Sequence, residues 1–260
     1  MLGTKRPVEE GEPRIRVKRV KDRLDLYNLD ERPIDLTIYI QQDTGSAFGL
    51  EPPKYASLIP DSAGVHADRI SFCAHSAGTH TECAAHINSK KTAIEDVLVL
   101  EPVFTECLVV RVVPEPLGDS GDTYEGSVPQ PSPSELVISR RRLSKAVSKL
   151  SAGRHEGIES IIVLSGECKE WVFFSDQAAD YLVEQGFKNL LVDKVSIDRE
   201  YCGPHMPAHR RFLQRDCATV TENVRDKPTM SEGRYLLNLQ LSPFVGTDAV
   251  PSRVLLFRHI

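Results

Sequence analysis

The sequence predicts a mixed α/β fold with more strands than helices, on three observations. Runs dominated by β-branched and aliphatic residues, TECLVVRVV and ESIIVL, recur along the 260-residue chain. A strand, a helix and a second strand follow one another in the order of a βαβ-type unit between Glu159 and Asp193, and two long apolar runs close the sequence. The length suits a single α/β domain, expected over residues 14–260 behind a flexible tail at 1–13 that is rich in charge, Pro and Gly.

Taken in order, RIRVKRV and RLDLYNL alternate apolar with polar residues, as half-buried strands do, and Lys21 and Asp22 can turn them into a hairpin. PIDLTIYI reads as a third strand. Residues 43–70 hold enough Gly, Pro and Ser to predict a long loop, a common setting for lids and binding segments. The strand TECLVVRVV ends at a turn-forming connector, Pro114 to Pro133. Leu136, Val137, Leu143, Val147 and Leu150 approximate helical spacing and predict a helix over 134–150. ESIIVL is then a buried strand, Ser175 caps a helix through DQAADYLVEQ that Gly186 ends, and KNLLVD is the next strand. RYLLNLQL and RVLLF finish the chain, joined by the turn-rich PFVGTDAVPS.

Composition excludes several function classes. Hydrophobic residues at 40% and charged residues at 27% are ordinary for a packed fold. A net charge of -5 argues against nucleic-acid binding, which needs a concentrated basic surface. The basic clusters Arg14 to Arg23 and Arg140 to Arg142 read as solvated faces. Six cysteines form no C-x-x-C pair and no regular spacing, so neither a disulfide framework nor a zinc ribbon is indicated. No apolar run reaches the length of a membrane span, and the N-terminus lacks the apolar core of a secretory signal. A cytoplasmic setting, no membrane and a small-molecule substrate are the expectations.

The chemistry concentrates in His75-Ser-Ala-Gly-Thr-His80-Thr-Glu82-Cys-Ala-Ala-His86, three histidines and a carboxylate within twelve residues. In an extended segment His80 and Glu82 point to one side, and Gly78 permits the turn that would bring in His75. A lone histidine is ordinarily structural; several beside a carboxylate suit zinc, manganese or iron, whereas calcium would want more oxygen donors. His209 and Glu222, with His205 nearby, form a second group far along the chain that would complete the site if the fold brings it close. Alternation puts Cys83 opposite Glu82, which favours a buried structural thiol over a ligand or nucleophile. Asp193, Ser196 and Asp198 follow a strand, where sites form, but can equally cap a helix or anchor a turn. Trp171, Phe173 and Phe174 can stack on an aryl substrate, though core packing is the commoner use of such residues.

The GTHTE-C-A-A-H segment resembles the H-x-G-T-H-x-D-x-P-x-H signature of the cyclase family of metal-dependent hydrolases, which includes kynurenine formamidase and isatin hydrolase, with GTHTEC in place of GTHxDxP. LLVDKVSIDRE, AHRRF with ATVTEN, and YLLNLQLSPFVGTDAVPSRVLLF resemble later stretches of that family, so the likeness spans most of 34–260. It implies a swivelling β/β/α, barrel-like core assembled as a homodimer or homotetramer. It also implies metal ligation, by Zn or Mn, at His80, Glu82, His209 and Glu222, and a catalytic His86. Departures are Ser76 at the family's first histidine, with His75 one residue out of register as its replacement, and Glu82 for Asp. The activity implied is hydrolysis of a small amide, formamide, cyclic amide or lactone by metal-activated water. The alternatives are a binding protein that keeps the fold without catalysis, and a metal-dependent lyase or dehydratase.

Overall fold

The computed structural model describes residues 27–29, 31–42, 47–101, 103–151, 157–200 and 202–259. The expected tail, most of the first hairpin and the Arg14 to Arg23 cluster lie outside them, although Tyr27 forms an antiparallel bridge with His259. The strands are β1 (Ile34–Asp35), β2 (Lys54–Ser57), β3 (Asp68–Ser71), β4 (His80–Cys83), β5 (Phe104–Arg111), β6 (Glu115–Pro116), β7 (Leu136–Ile138), β8 (Ser160–Leu164), β9 (Val172–Phe174), β10 (Asn189–Val192), β11 (Thr219–Glu222), β12 (Gly233–Leu241) and β13 (Ala249–Arg258). The helices are α1 (Ile94–Leu100), α2 (Leu117–Ser120), α3 (Arg140–Ser151), α4 (Asp176–Glu184) and α5 (Pro207–Phe212).

Seven strands close on themselves in the order β13-β12-β5-β8-β10-β11-β4, because β4 pairs with both β11 and β13. β5, β8, β10 and β11 run parallel and the remaining pairs are antiparallel, with β1 added outside on β13. Closure buries both faces of the central strands, which explains why ESIIVL is a continuous apolar run and not an alternating one. Cys107, Val109, Ile162, Leu164 and Leu191 fill the lumen. Their sequence neighbours Leu108, Val110, Ile161, Val163, Leu190 and Val192 point outward, under Leu143 and Val147 of α3, Ala178 and Leu182 of α4, and Phe212 of α5. The mixed α/β, barrel-like single domain is therefore as the sequence and its family resemblance imply.

Three element expectations need correction. The strand expected through Ile40 is a strand only at Ile34–Asp35, with a single antiparallel bridge beyond it from Thr37 to Val224; the chain then crosses to the start of β4, where Ile38 accepts from the Thr79 amide at 2.9 Å and donates to the Thr79 hydroxyl at 2.7 Å. The loop expected over 43–70 contains the β2–β3 hairpin. The helix expected from Ser134 starts at Arg140, and Leu136–Ile138 is instead a strand between β6 and β9. Ser139 sets that start, its hydroxyl accepting from the Arg142 amide at 3.3 Å.

Three arginines in the first turn of α3 oppose the helix dipole. Glu115 offsets them: buried on β6, its carboxylate takes Arg141, Arg142 Nε at 3.0 Å and the Ser139 hydroxyl, while Glu184 pairs with Arg140. Arg141 first, then Ser139 and Arg142, hold the Glu115 pKa at about 2 against burial, which works the other way. A depressed folded pKa stabilises above the unfolded value near 4.5 and loses that contribution as pH falls towards 2. Since both arginines are half exposed, Glu115→Gln is expected to cost about 1–2 kcal/mol at neutral pH, a deficit that shrinks below pH 4.5 in denaturant melts.

Candidate metal centre

β4 and β11 are antiparallel neighbours in a register that sets His80 opposite Glu222 and Glu82 opposite Val220. Val220 belongs to the outward-facing row, so all three chemical side chains face the helical layer, while Thr81 turns into the lumen to bond Thr221 and Ser252 at 2.8 Å each. The loop after β10 carries Asp198, and α5 following it delivers His209. The cluster therefore lies outside the carboxyl ends of the parallel strands β10 and β11, where α/β sheets usually place ligands.

Glu82 is the centre. Its Oε1 lies 2.6 Å from His75 Nδ1 and 3.3 Å from His80 Nε2; its Oε2 lies 2.9 Å from His209 Nε2 and 3.8 Å from His86 Nε2. Glu222 faces the same two nitrogens, 3.4 Å from His80 and 3.2 Å from His209, and its Oε1 also accepts from the Ile197 amide. His80, Glu82, His209 and Glu222 are essentially inaccessible, while His75 and His86 are partly open to solvent. The geometry brings together every metal-ligand candidate and His86. Two triads, His75–Glu82–His86 and His80–Glu82–Glu222, each converge closely enough to hold an ion and share Glu82.

Second contacts fix which nitrogen points inward. His80 Nδ1 donates to the Gly78 carbonyl at 3.2 Å, and His209 Nδ1 donates to Asp198 Oδ2 at 2.7 Å. Both Nε2 atoms are thereby aimed at carboxylates. Gly78 is required here: its φ is +74°, and a Cβ would stand 2.6 Å from the Ile38 carbonyl. Asp198, fully buried, also accepts from Tyr124 Oη at 2.7 Å and from the Ala208 and His209 amides at the start of α5, so the capping and site-forming alternatives for it are both realised. Asp193 anchors the turn at Ser165 and Gly166, and Ser196 accepts from the Asp198 amide.

The donor set fits a divalent ion on a direct observation. Glu82 Oε2 and His209 Nε2 are buried without a hydrogen-bond partner although 2.9 Å apart, because their approach is off the line an N–H would need. Imidazole with carboxylate is the ligand chemistry of zinc, manganese or iron. Protons compete for the same positions. Burial opposes charge on His75, but Asp248 and Glu82 outweigh it and raise its pKa to about 10; burial likewise opposes charge on His80, which Glu222 and Glu82 raise to about 9. Burial alone would raise the Glu82 pKa, yet His209 drives it well below the carboxylate range.

His75 reaches the cluster from the 3-10 turn Ala74–Ser76, which places it there despite the one-residue offset, while Ser76 is buried and bonds the Cys73 carbonyl. Cys83 is buried against Ile94, Val97 and Val250, with burial pushing its thiol pKa to about 11, as suits a structural residue. His205 sits in the turn before α5 beside Gly126. Phe173 and Phe174 are core; Trp171 is partly open and donates to the Asp198 carbonyl at 2.9 Å. Sequence reasoning missed Asp248, whose Oδ2 touches both His75 and His86, because nothing in the turn-rich segment marks it as more than a turn residue.

The Cyclase family model matches residues 34–199, a stretch that carries the whole 75–86 segment and Asp198. No curated protein sequence matches the chain. Among solved structures, a predicted metal-dependent hydrolase from Bacillus stearothermophilus aligns over 87% of this chain and 98% of its own, at 22% identity and a TM-score of 0.60. An isatin hydrolase bound to the product analogue thioisatinate covers 96% of this chain and 100% of its own, at 14% identity and a TM-score of 0.61. Isatin hydrolase A from Labrenzia aggregata, bound to benzyl benzoate, covers 94% and 100% at 14% identity and a TM-score of 0.59. Such identities speak to the fold, and they extend the likeness past residue 199 into the part that supplies His209 and Glu222. With the family model matching more than half of its length, the chain belongs to the Cyclase family.

Proposed function

We propose that the protein is a metal-dependent hydrolase of a small amide, formamide, cyclic amide or lactone, with zinc or manganese held by His75, His80, Glu82, His209 and Glu222. The observation that carries this is the buried pair Glu82 Oε2 and His209 Nε2, each without a hydrogen-bond partner at the heart of a cluster of imidazoles and carboxylates. A bound divalent ion supplies Lewis acidity towards a carbonyl and lowers the pKa of a coordinated water towards neutrality.

The chain's own residues do the rest. Glu82 and Glu222 supply the negative charge that favours a cation in this buried place. Asp198 holds His209 in orientation. His86 is more open than the four buried ligands, and its Nε2 is farthest of the four imidazoles from Glu82, so it suits the general base: it takes the proton of the attacking water and returns it to the leaving nitrogen or oxygen. The name of the isatin hydrolase structures supports a cyclic amide as the first substrate to try.

The test is product analysis. Protein loaded with zinc or manganese is incubated with N-formyl aryl amines, cyclic amides and lactones. A ring-opened or deformylated product that has gained one water is expected for at least one of these classes. An alkene would point to a lyase, and no turnover of any class by fully loaded protein would overturn the proposal.

A further inference from the structure

Asp248 enters the cluster from the loop between β12 and β13, directly before Ala249 opens β13, whereas His209 comes from α5. One oxygen, Oδ2, lies 3.0 Å from Nε2 of His75 and 3.0 Å from Nδ1 of His86, whose rings lie 4.4 Å apart at 31°. An ionised carboxylate only accepts, so both of these nitrogens carry N–H. In a neutral imidazole the other nitrogen is then a bare lone pair: Nδ1 in His75, 2.6 Å from Glu82 Oε1, and Nε2 in His86, 3.8 Å from Glu82 Oε2. A single oxygen thus selects opposite tautomers for the two rings when they are neutral, with both inner nitrogens turned towards Glu82; with no ion bound, the 2.6 Å approach of His75 Nδ1 to Glu82 Oε1 is a hydrogen bond whose proton an ion would displace.

We propose that Asp248 is a positioning residue that fixes the tautomers of His75 and His86, making Nδ1 of the first available for ligation and Nε2 of the second available for proton transfer. The proposal rests on the metal-hydrolase reading and deepens it. The loop is built to hold this placement: the Asp248 backbone carbonyl accepts from the Cys83 amide at 3.0 Å and from its thiol at 3.3 Å, tying the loop to the strand that carries Glu82. Gly246 is tied to Glu95 and the Thr247 carbonyl accepts from the Ile94 amide, so α1 braces the loop from behind. None of those anchors uses the Asp248 side chain, which is 45% exposed, so its replacement leaves them in place.

The experiment is long-range 1H–15N correlation of the imidazole rings in zinc-loaded, 15N-histidine-labelled protein. The wild type is expected to show N–H at Nδ1 of His86 and at Nε2 of His75. In Asp248→Ala, His86 should lose its Nδ1–H pattern and zinc affinity should fall about 10–100-fold, with partial recovery in Asp248→Glu. His80 and His209, fixed by Gly78 and Asp198, should keep their patterns and so report an intact fold. An unchanged His86 pattern in Asp248→Ala would overturn the proposal. Should the wild type take up no zinc, the metal reading falls by itself; the tautomers are then compared in metal-free protein at a pH high enough for neutral rings, where the same dependence on Asp248 is expected and its absence again overturns the proposal.

Discussion

Glu82→Gln is expected to abolish stoichiometric uptake of zinc or manganese while leaving the barrel folded. The side chain keeps its length and loses only its charge and one acceptor, at a position contacted by His75, His80, His86 and His209. A unit charge about 4 Å from a cation is worth about 4 kcal/mol at an effective dielectric near 20, hence roughly a thousandfold in affinity, and a divalent ion loses more. Elemental analysis after equilibrium dialysis reads the effect. A variant that still binds one ion per chain at wild-type affinity would show that the cluster is not organised around Glu82.

His86→Ala should separate binding from chemistry. His86 is not among the four inaccessible residues, and its Nε2 lies 3.8 Å from Glu82 where the other imidazoles approach to 2.6–3.3 Å. The variant is expected to retain metal and to lose about 10²–10⁴-fold in kcat on any substrate that the wild type opens, the usual contribution of a positioned acid–base group. Comparable loss of metal would make His86 a ligand, and an unchanged rate would remove it from the reaction.

Much of this site is legible in the sequence because it obeys short-range rules. Alternation along an extended segment puts His80 and Glu82 on one face and Cys83 on the other, and the strand β4 does so. The Ser175 cap and the Gly186 stop of α4 follow from local hydrogen bonding and the left-handed backbone, and both are present. What was not legible depends on closure. Asp248 acquires its meaning only when β13 pairs with β4 and swings its loop over the histidines. The departure of PIDLTIYI from strand geometry has the same origin, since Thr37 turns to bridge Val224 and Ile38 is drawn to Thr79. The start of α3 was misplaced because Leu136 and Val137 fit a helical period as well as a strand, and Ser139 with its buried partner Glu115 decides between them.

The measurement that bears most directly on the central claim is calorimetric titration of zinc into metal-free protein near pH 7, in two buffers of different ionisation enthalpy. His75 and His80, with pKa values raised to about 10 and 9, hold protons at that pH on the positions an ion must take, so binding has to expel them. Stoichiometric binding with net proton release is expected, with an affinity that strengthens as pH rises towards 9. Absence of binding at micromolar zinc, or binding that releases no protons and survives both His80→Ala and His209→Ala, would contradict it.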